Sequence, residues 1–219
     1  MDTQPYLVPH SQEPIQILME DDDFLLVRKP DLLLSVPGRH PLNKDCLISR
    51  LRKDWPTASI VHRLDLDTSG IMIIPLNKRS HAHISRQFQE RQIQKSYIAI
   101  VYGTPKTSQG DITFPIKPDW QNRPKQKICH ETGKSALTRY TVLESRSDRS
   151  RLLLEPVTGR SHQLRIHLSE IGHPILGCDM YAHDDAFKMA KRLMLHAKQI
   201  TFTHPRLLTE VSGESIPDF

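Results

Sequence analysis

Three clusters in the 219-residue chain carry side chains able to do chemistry. The densest is Val61–Gly70, VHRLDLDTSG, which sets Asp65 and Asp67 two apart on a turn ahead of an apolar run. An ionised aspartate is a nucleophile or a base, and Arg63 beside it would favour the charged form. The competing reading is a polar turn in which Asp67, Thr68 and Ser69 bond to their own backbone and Gly70 relieves strain. The second cluster is Thr158–His167, TGRSHQLRIH. A helix capped there by Ser161 would offer free N–H groups and Arg160 to an anion. Arg165, one turn in, would pair with a carboxylate or phosphate in the bidentate way of a guanidinium. A surface helix with charged outer positions fits the same pattern. The third cluster is the stretch 117–134, with five basic residues against two acidic ones. Arg123, Lys125 and Lys127 near Trp120 suit a phosphate backbone and an unstacked base, although a solvated basic loop has the same composition.

The elements that must position these clusters follow from patterning. Pro14–Glu20 and Phe24–Lys29 read as two strands around the turn Asp21-Asp22-Asp23. Asp45 opens a short helix through Leu47, Ile48 and Leu51. Gly70–Leu76 is apolar throughout, as in a strand buried on both faces. Lys78–Arg91 is helical, with Ala82, Ile84 and Phe88 inward. Ser96–Tyr102 is a strand, the stretch 117–134 a long loop, and Tyr140–Glu144 with Leu152–Pro156 a hairpin. The helix after Ser161 carries Leu164, Leu168 and Ile171 on one face and stops at Gly172. Asp184–Leu193 reads as a further helix and Leu195–Thr203 as a last strand. Hairpins mixed with a few helices predict an α+β fold with a mixed, mostly antiparallel sheet. Residues 1–14 read as a flexible arm, and 15–219 as one domain.

Composition narrows the partners. The formal charge of +5, with twelve histidines besides, argues for an anionic partner. No apolar stretch approaches the ~18 residues of a membrane helix, and the N-terminal residues lack the apolar region of a signal peptide. Cys46, Cys129 and Cys178 are too widely spaced for a disulfide framework or a zinc pair and suit a reducing cytoplasm. His81 and His83 point to different faces of a helix, so no metal is expected.

Five blocks then carry a resemblance. They are HRLDLDTSG (His62–Gly70), KSYIAIVYG (Lys95–Gly103), NRPKQKICHETGKSA (Asn122–Ala136), TGRSHQLRIHLSEIGHPILG (Thr158–Gly177) and the closing ITFTHP. In this order they resemble the RluA family of RNA pseudouridine synthases, from about Ile17 to the end of the chain. The resemblance implies a single catalytic domain, here without a preceding S4 domain. It resolves the aspartate pair: Asp65 matches the catalytic residue and Asp67 a variable position. Tyr97 matches the tyrosine that stacks on the target base, Arg165 the arginine paired with the catalytic aspartate, and Arg63 the arginine that fills the place of the flipped uridine. His62, Arg123, Lys125, Lys127 and Arg160 would join Arg63 on the RNA.

The implied reaction detaches uracil from C1′, rotates it and rejoins it through C5, with no redox change, no hydrolysis and no cofactor. Asp65 would act by covalent attack or by removing a C2′ proton; both routes stay open. Flipping the base costs a few kcal/mol, offset by phosphate contacts. The undivided NRPKQKICHETGK stretch resembles the short dual-specificity branch, which modifies a 23S rRNA hairpin loop and the first nucleotide of the tRNA anticodon loop. The expected state is a cytoplasmic monomer acting on RNA, with neither DNA nor membrane as partner. Two other classes compete: a nucleoside or glycoside hydrolase using Asp65, which lacks an obvious second carboxylate, and a catalytically silent RNA-binding protein. One departure stands out. RKPDLLLSVPG, from Arg28, has Leu32 where the family usually has glycine, so a left-handed turn there would strain Leu32.

Overall fold

The computed structural model describes residues 8–9 and 11–219. In chain order the strands are β1 Gln16–Glu20, β2 Phe24–Lys29, β3 Ser69–Pro75, β4 Gln94–Tyr102, β5 Gln109–Ile112, β6 Ile116–Pro118, β7 Gln126–Ile128, β8 Thr138–Ser145, β9 Arg149–Pro156, β10 Leu195–Thr203 and β11 Glu210–Glu214. The helices are α1 Leu47–Leu51, α2 Lys78–Gln89, α3 Gln163–Glu170 and α4 Asp184–Lys188. Every pairing with a described register is antiparallel, so the α+β class with a mostly antiparallel sheet holds. No helix among the described residues is long and apolar enough to cross a membrane.

The chain forms two compact units. Unit 1 holds the residues up to Ile93 and Ala197–Ile216; unit 2 holds Gln94–His196 and Pro217–Phe219. In unit 1 the strand order is β1-β2-β3-β10-β11. β3 is buried along its whole length, as its apolar run predicts. Gly70, in this strand at φ 119, explains the glycine of the TSG triplet: a Cβ there would lie 2.2 Å from the Ala197 carbonyl oxygen. α2 is capped by Asn77, whose side chain accepts from the Ser80 N–H at 2.9 Å. Its inward face is Ser80, Ile84 and Gln87, whereas Ala82, expected inside, is exposed. The difference has a polar cause: Gln87 bonds both the N–H and the carbonyl of Thr203, at 2.8 Å each, and this rotates the helix. Residues 1–7 and 10 of the expected arm lie outside the described residues. Val8 and Ser11 are buried, their N–H groups bonded to Asn43 Oδ1 and to the Leu32 carbonyl.

In unit 2 the order is β4-β9-β8-β5, with β6 and β7 as a separate hairpin. Ala99, Val101, Leu152 and Leu154 of the sheet pack against Leu164 and Leu168 of α3. Three expectations are corrected here. The stretch 117–134 is not a structureless loop, because β6 and β7 pair through it from Ile116↔Ile128 to Pro118↔Gln126. Strands of three residues show no alternation to read; buried Ile116, bridged to Lys134, anchors them. Ser161 does not cap α3: His162 holds that position in the left-handed region at φ 55. The helix expected over Asp184–Leu193 ends at Lys188, because the chain then returns so tightly over Gly177 that a Cβ there would meet the Arg192 carbonyl oxygen at 2.0 Å. β5 and β11 are additional to the expected strands.

Candidate active site

The turn that bears Asp65 lies in unit 1. Its frame is Lys29, fully buried, whose ammonium donates to the carbonyls of Pro30 (2.8 Å), Leu33 (2.7 Å) and Leu66 (3.1 Å). One cation thus ties the end of β2 to the backbone beside the aspartate. Ser35 adds a second tie, donating to the Leu64 carbonyl at 2.8 Å and accepting the Leu64 N–H at 3.1 Å. The Thr68 N–H closes the turn on the Asp65 carbonyl at 3.2 Å, and Thr68 and Ser69 are buried. Asp65 and Asp67 are left half-buried and Arg63 exposed. His62, expected on RNA, is half-buried and also bonds within the protein. Its Nε2 accepts the Ile73 N–H at 3.0 Å, and its ring stacks on Phe88 with centroids 4.7 Å apart. These ties orient the neighbouring Arg63 and Asp65.

Tyr97 and Arg165 lie in unit 2. Tyr97 lies half-buried on β4, opposite Leu154, and Lys95 shares its face of the strand. Burial lowers the Lys95 ammonium from its usual pKa. Arg165 is 1% exposed, which excludes the surface-helix reading. A buried guanidinium is costly unless its donors are met. Nε donates to Cys178 Sγ at 3.3 Å and Nη2 to Asp179 Oδ1 at 2.5 Å, while the Tyr181 ring lies 5.6 Å below. Residues 178–181 therefore wrap the arginine. Sequence reasoning missed them, as it missed Lys29 and Ser35; the only signal was a polar Asp179 and an aromatic Tyr181 following a glycine.

α3 is held by a chain of buried polar groups. The Gln163 amide donates to the Leu137 carbonyl and to Thr138 Oγ1, both at 3.0 Å. That leaves the Thr138 hydroxyl proton for His167 Nδ1 at 3.0 Å, and His167 Nε2 donates to the Phe114 carbonyl at 2.9 Å. Burial lowers the His167 pKa, as this neutral pattern requires. At the helix entrance the Gln163 side-chain Oε1 accepts the Arg160 N–H at 3.0 Å, and Arg160 Nε donates to the Ser135 carbonyl at 3.2 Å. The N–H and Nε of Arg160 are thus engaged inside the protein, so the anion site expected there is reduced to the rest of its guanidinium.

The basic hairpin gathers Arg123, Lys125 and Lys127, all exposed. Trp120 is 69% exposed, with the Arg123 guanidinium 3.5 Å above its ring. Asp119 shapes the tip: Asn122 Nδ2 donates to it at 2.8 Å and the Lys127 ammonium lies 3.4 Å away. These contacts, Asn122 first, hold the Asp119 carboxyl below its usual pKa. At the hairpin base Cys129 sits near the Thr132 hydroxyl (3.4 Å), which itself accepts from Lys117 at 2.8 Å.

Elsewhere in unit 1, Asp21, Asp23 and His204 stand close enough to hold a cation. Arg206 already supplies one, 3.0 Å from Asp23 and 3.1 Å from Asp22. His204 Nδ1 is occupied too, accepting the N–H groups of Arg206 and Leu207. Nothing about this cluster favours a metal over the guanidinium.

Comparison with known proteins bears on the family of the chain. The RNA pseudouridylate synthase family model matches residues 23–170, a span that runs through both units. The dual-specificity RNA pseudouridine synthase RluA of Escherichia coli K12 is 47% identical over 210 residues, covering 95% of this chain and 96% of that protein. The protein of the same name from Yersinia pestis is 51% identical over 204 residues, covering 93% and 99%. Among solved structures, human RNA pseudouridylate synthase domain containing 1 superposes with a TM-score of 0.79 at 32% identity, covering 96% of this chain and 86% of that one. By motif, fold and full-length similarity together, the chain belongs to the RluA family of RNA pseudouridine synthases.

Proposed function

We propose that this protein is an isomerase that converts uridine to pseudouridine in RNA, with Asp65 as the reacting carboxylate, Arg165 as its electrostatic partner and Tyr97 as the ring that stacks on the base. The observation that carries the reading is a guanidinium buried in a helix of a chain that also bears the HRLDLDTSG turn. Burying an arginine is worthwhile where a charge must be held in a low-dielectric setting, and an ionised aspartate acting on a sugar or base is such a charge. Arg63, exposed beside Asp65, is suited to fill the stack a flipped uridine leaves. The hairpin bearing Arg123, Lys125 and Lys127 supplies phosphate contacts, with Trp120 as a platform for an unstacked base. Arg160 adds a further positive group beside α3.

The proposed substrates are a 23S rRNA hairpin loop and the first nucleotide of the tRNA anticodon loop, in keeping with the dual-specificity name of its relatives. The protein would act in the cytoplasm as a monomer, with RNA and neither DNA nor membrane as partner. The test is pseudouridine mapping in RNA treated with wild type or Asp65→Asn. The variant is expected to bind RNA within about threefold of wild type, since phosphate contacts dominate affinity, and to form no product. Pseudouridine formed by Asp65→Asn would overturn the assignment, and free uracil released by wild type would favour a hydrolase.

A further inference from the structure

The basic hairpin and the buried arginine meet in one side chain. Tyr181 packs against two separate apolar clusters of unit 2, the main one under the sheet and the smaller one of Ile116, Ala136 and Ile166. Its hydroxyl accepts the Gln126 N–H of β7 at 2.8 Å, on the strand that carries Lys127 and directly follows Lys125. The hydroxyl proton is then available to His162 Nδ1, also at 2.8 Å, at the left-handed entrance of α3. The face of the same ring lies 5.6 Å from the Arg165 guanidinium. Its backbone is pinned as well, since Ser169 Oγ of α3 donates to the Tyr181 carbonyl at 2.7 Å.

Each of these contacts has an ordinary packing use. Their conjunction does not. A β-hairpin of three-residue strands is weak alone, and a residue outside glycine at φ 55 needs support. One phenol supports both and also lies under the guanidinium. A shift of β7 is therefore passed to the entrance of α3 and to Arg165 through a single rigid ring, held at its hydroxyl by Gln126 and His162 and packed against both clusters.

We propose that Tyr181 is a positioning residue that couples the basic hairpin to Arg165, so that RNA seated on the hairpin sets the guanidinium for catalysis. This inference rests on the hairpin being an RNA contact, as proposed above. It predicts that loss of the hydroxyl, whose bonds run to Gln126 and His162, harms both RNA affinity and the chemical step.

The experiment uses the full chain with Trp55 replaced by Phe, so that Trp120 alone reports on the hairpin, and an anticodon stem-loop as probe. Trp120 fluorescence on titration yields the affinity, and single-turnover conversion at saturating RNA yields the rate of the chemical step. Tyr181→Phe keeps the ring and removes both hydroxyl bonds. It is expected to weaken binding several-fold and to slow the saturated single-turnover rate by about tenfold, a loss in the range that small misplacements cause. A saturated rate equal to wild type would overturn the coupling, whether or not affinity falls. Should Tyr181→Phe fail to fold, His162→Asn tests the same link from the helix side, because asparagine tolerates the left-handed region. A wild-type saturated rate in that variant has the same meaning. A Trp120 signal that ignores RNA would instead sink the hairpin contact itself, and so separates the two failures.

Discussion

The Arg165 guanidinium and the Asp179 carboxylate are bonded at 2.5 Å, with the arginine side chain 1% exposed and the aspartate side chain 52% exposed. The pair is asymmetric: water can compensate the acid but not the base. Removing Asp179 therefore leaves a buried charge short of one acceptor, whereas a solvated carboxylate tolerates loss of its partner. Asp179→Asn retains an acceptor oxygen of neutral charge. It is expected to cost about 1.5–3 kcal/mol of stability, the range for hydrogen bonds to charged groups. Turnover at saturating RNA should fall while KM changes little, because Arg165 keeps its place but loses charge support. Urea melts and steady-state kinetics check both; an unchanged melt and kcat would show that the contact is idle.

Lys29 is the sharper structural test. Its ammonium serves three carbonyls at once, and Lys29→Met fits the space while leaving all three unmet. Each buried acceptor left unsatisfied costs about 1–3 kcal/mol, so the variant should be severely destabilised or fail to fold. Arginine is no substitute, since a planar fork cannot copy a compact ammonium among converging carbonyls. Denaturant unfolding of both variants measures this. A loss under 1 kcal/mol would mean that water replaces the cation.

His167 makes stability depend on pH. It is fully buried, and burial lowers its pKa in the folded protein, whereas the unfolded chain protonates it near the ordinary 6.5. The unfolded state then binds more protons as pH falls through 6.5, so stability is intact above that value and declines below it. Thermal melts between about pH 7.5 and 5.5 should show a falling Tm, and His167→Gln should have a shallower decline over the same interval. Parallel curves would assign the acid sensitivity to other groups.

Cys129 is expected to be the reactive thiol. The Thr132 hydroxyl, the Thr132 N–H and Lys117 together lower its pKa from 9.0 to about 6. The thiolate fraction should rise through pH 6 and saturate above about pH 7, and the alkylation rate by iodoacetamide should follow it. Cys46 and Cys178 are buried and should react only on unfolding. Thr132→Ala should move the midpoint upward. Mass spectrometry of the alkylated peptides resolves the three sites, and a Cys129 midpoint near 9 would contradict the bonding pattern.

Much of this was legible in the residues. Local rules sufficed for β2, β3, α2 and the β8–β9 hairpin, because each rests on apolar run length, a cap residue or a turn within a few positions. Leu32 is a different case: it stands where the family usually has glycine, so a left-handed turn there would strain it, and it adopts φ 53. The motif blocks alone pointed to the family. Tertiary structure decided what depends on neighbours distant in sequence. The β6–β7 hairpin exists because Ile116 is buried and Tyr181 holds the Gln126 N–H from 55 residues away. Gln87 lies inward because it meets Thr203, 116 residues on. Arg165 is buried because residues 178–181 fold over it, and Lys29 is buried because three carbonyls converge there. Such groups are polar by type, so patterning sends them to the surface. Only a folded chain can bring together the partners that make their burial affordable.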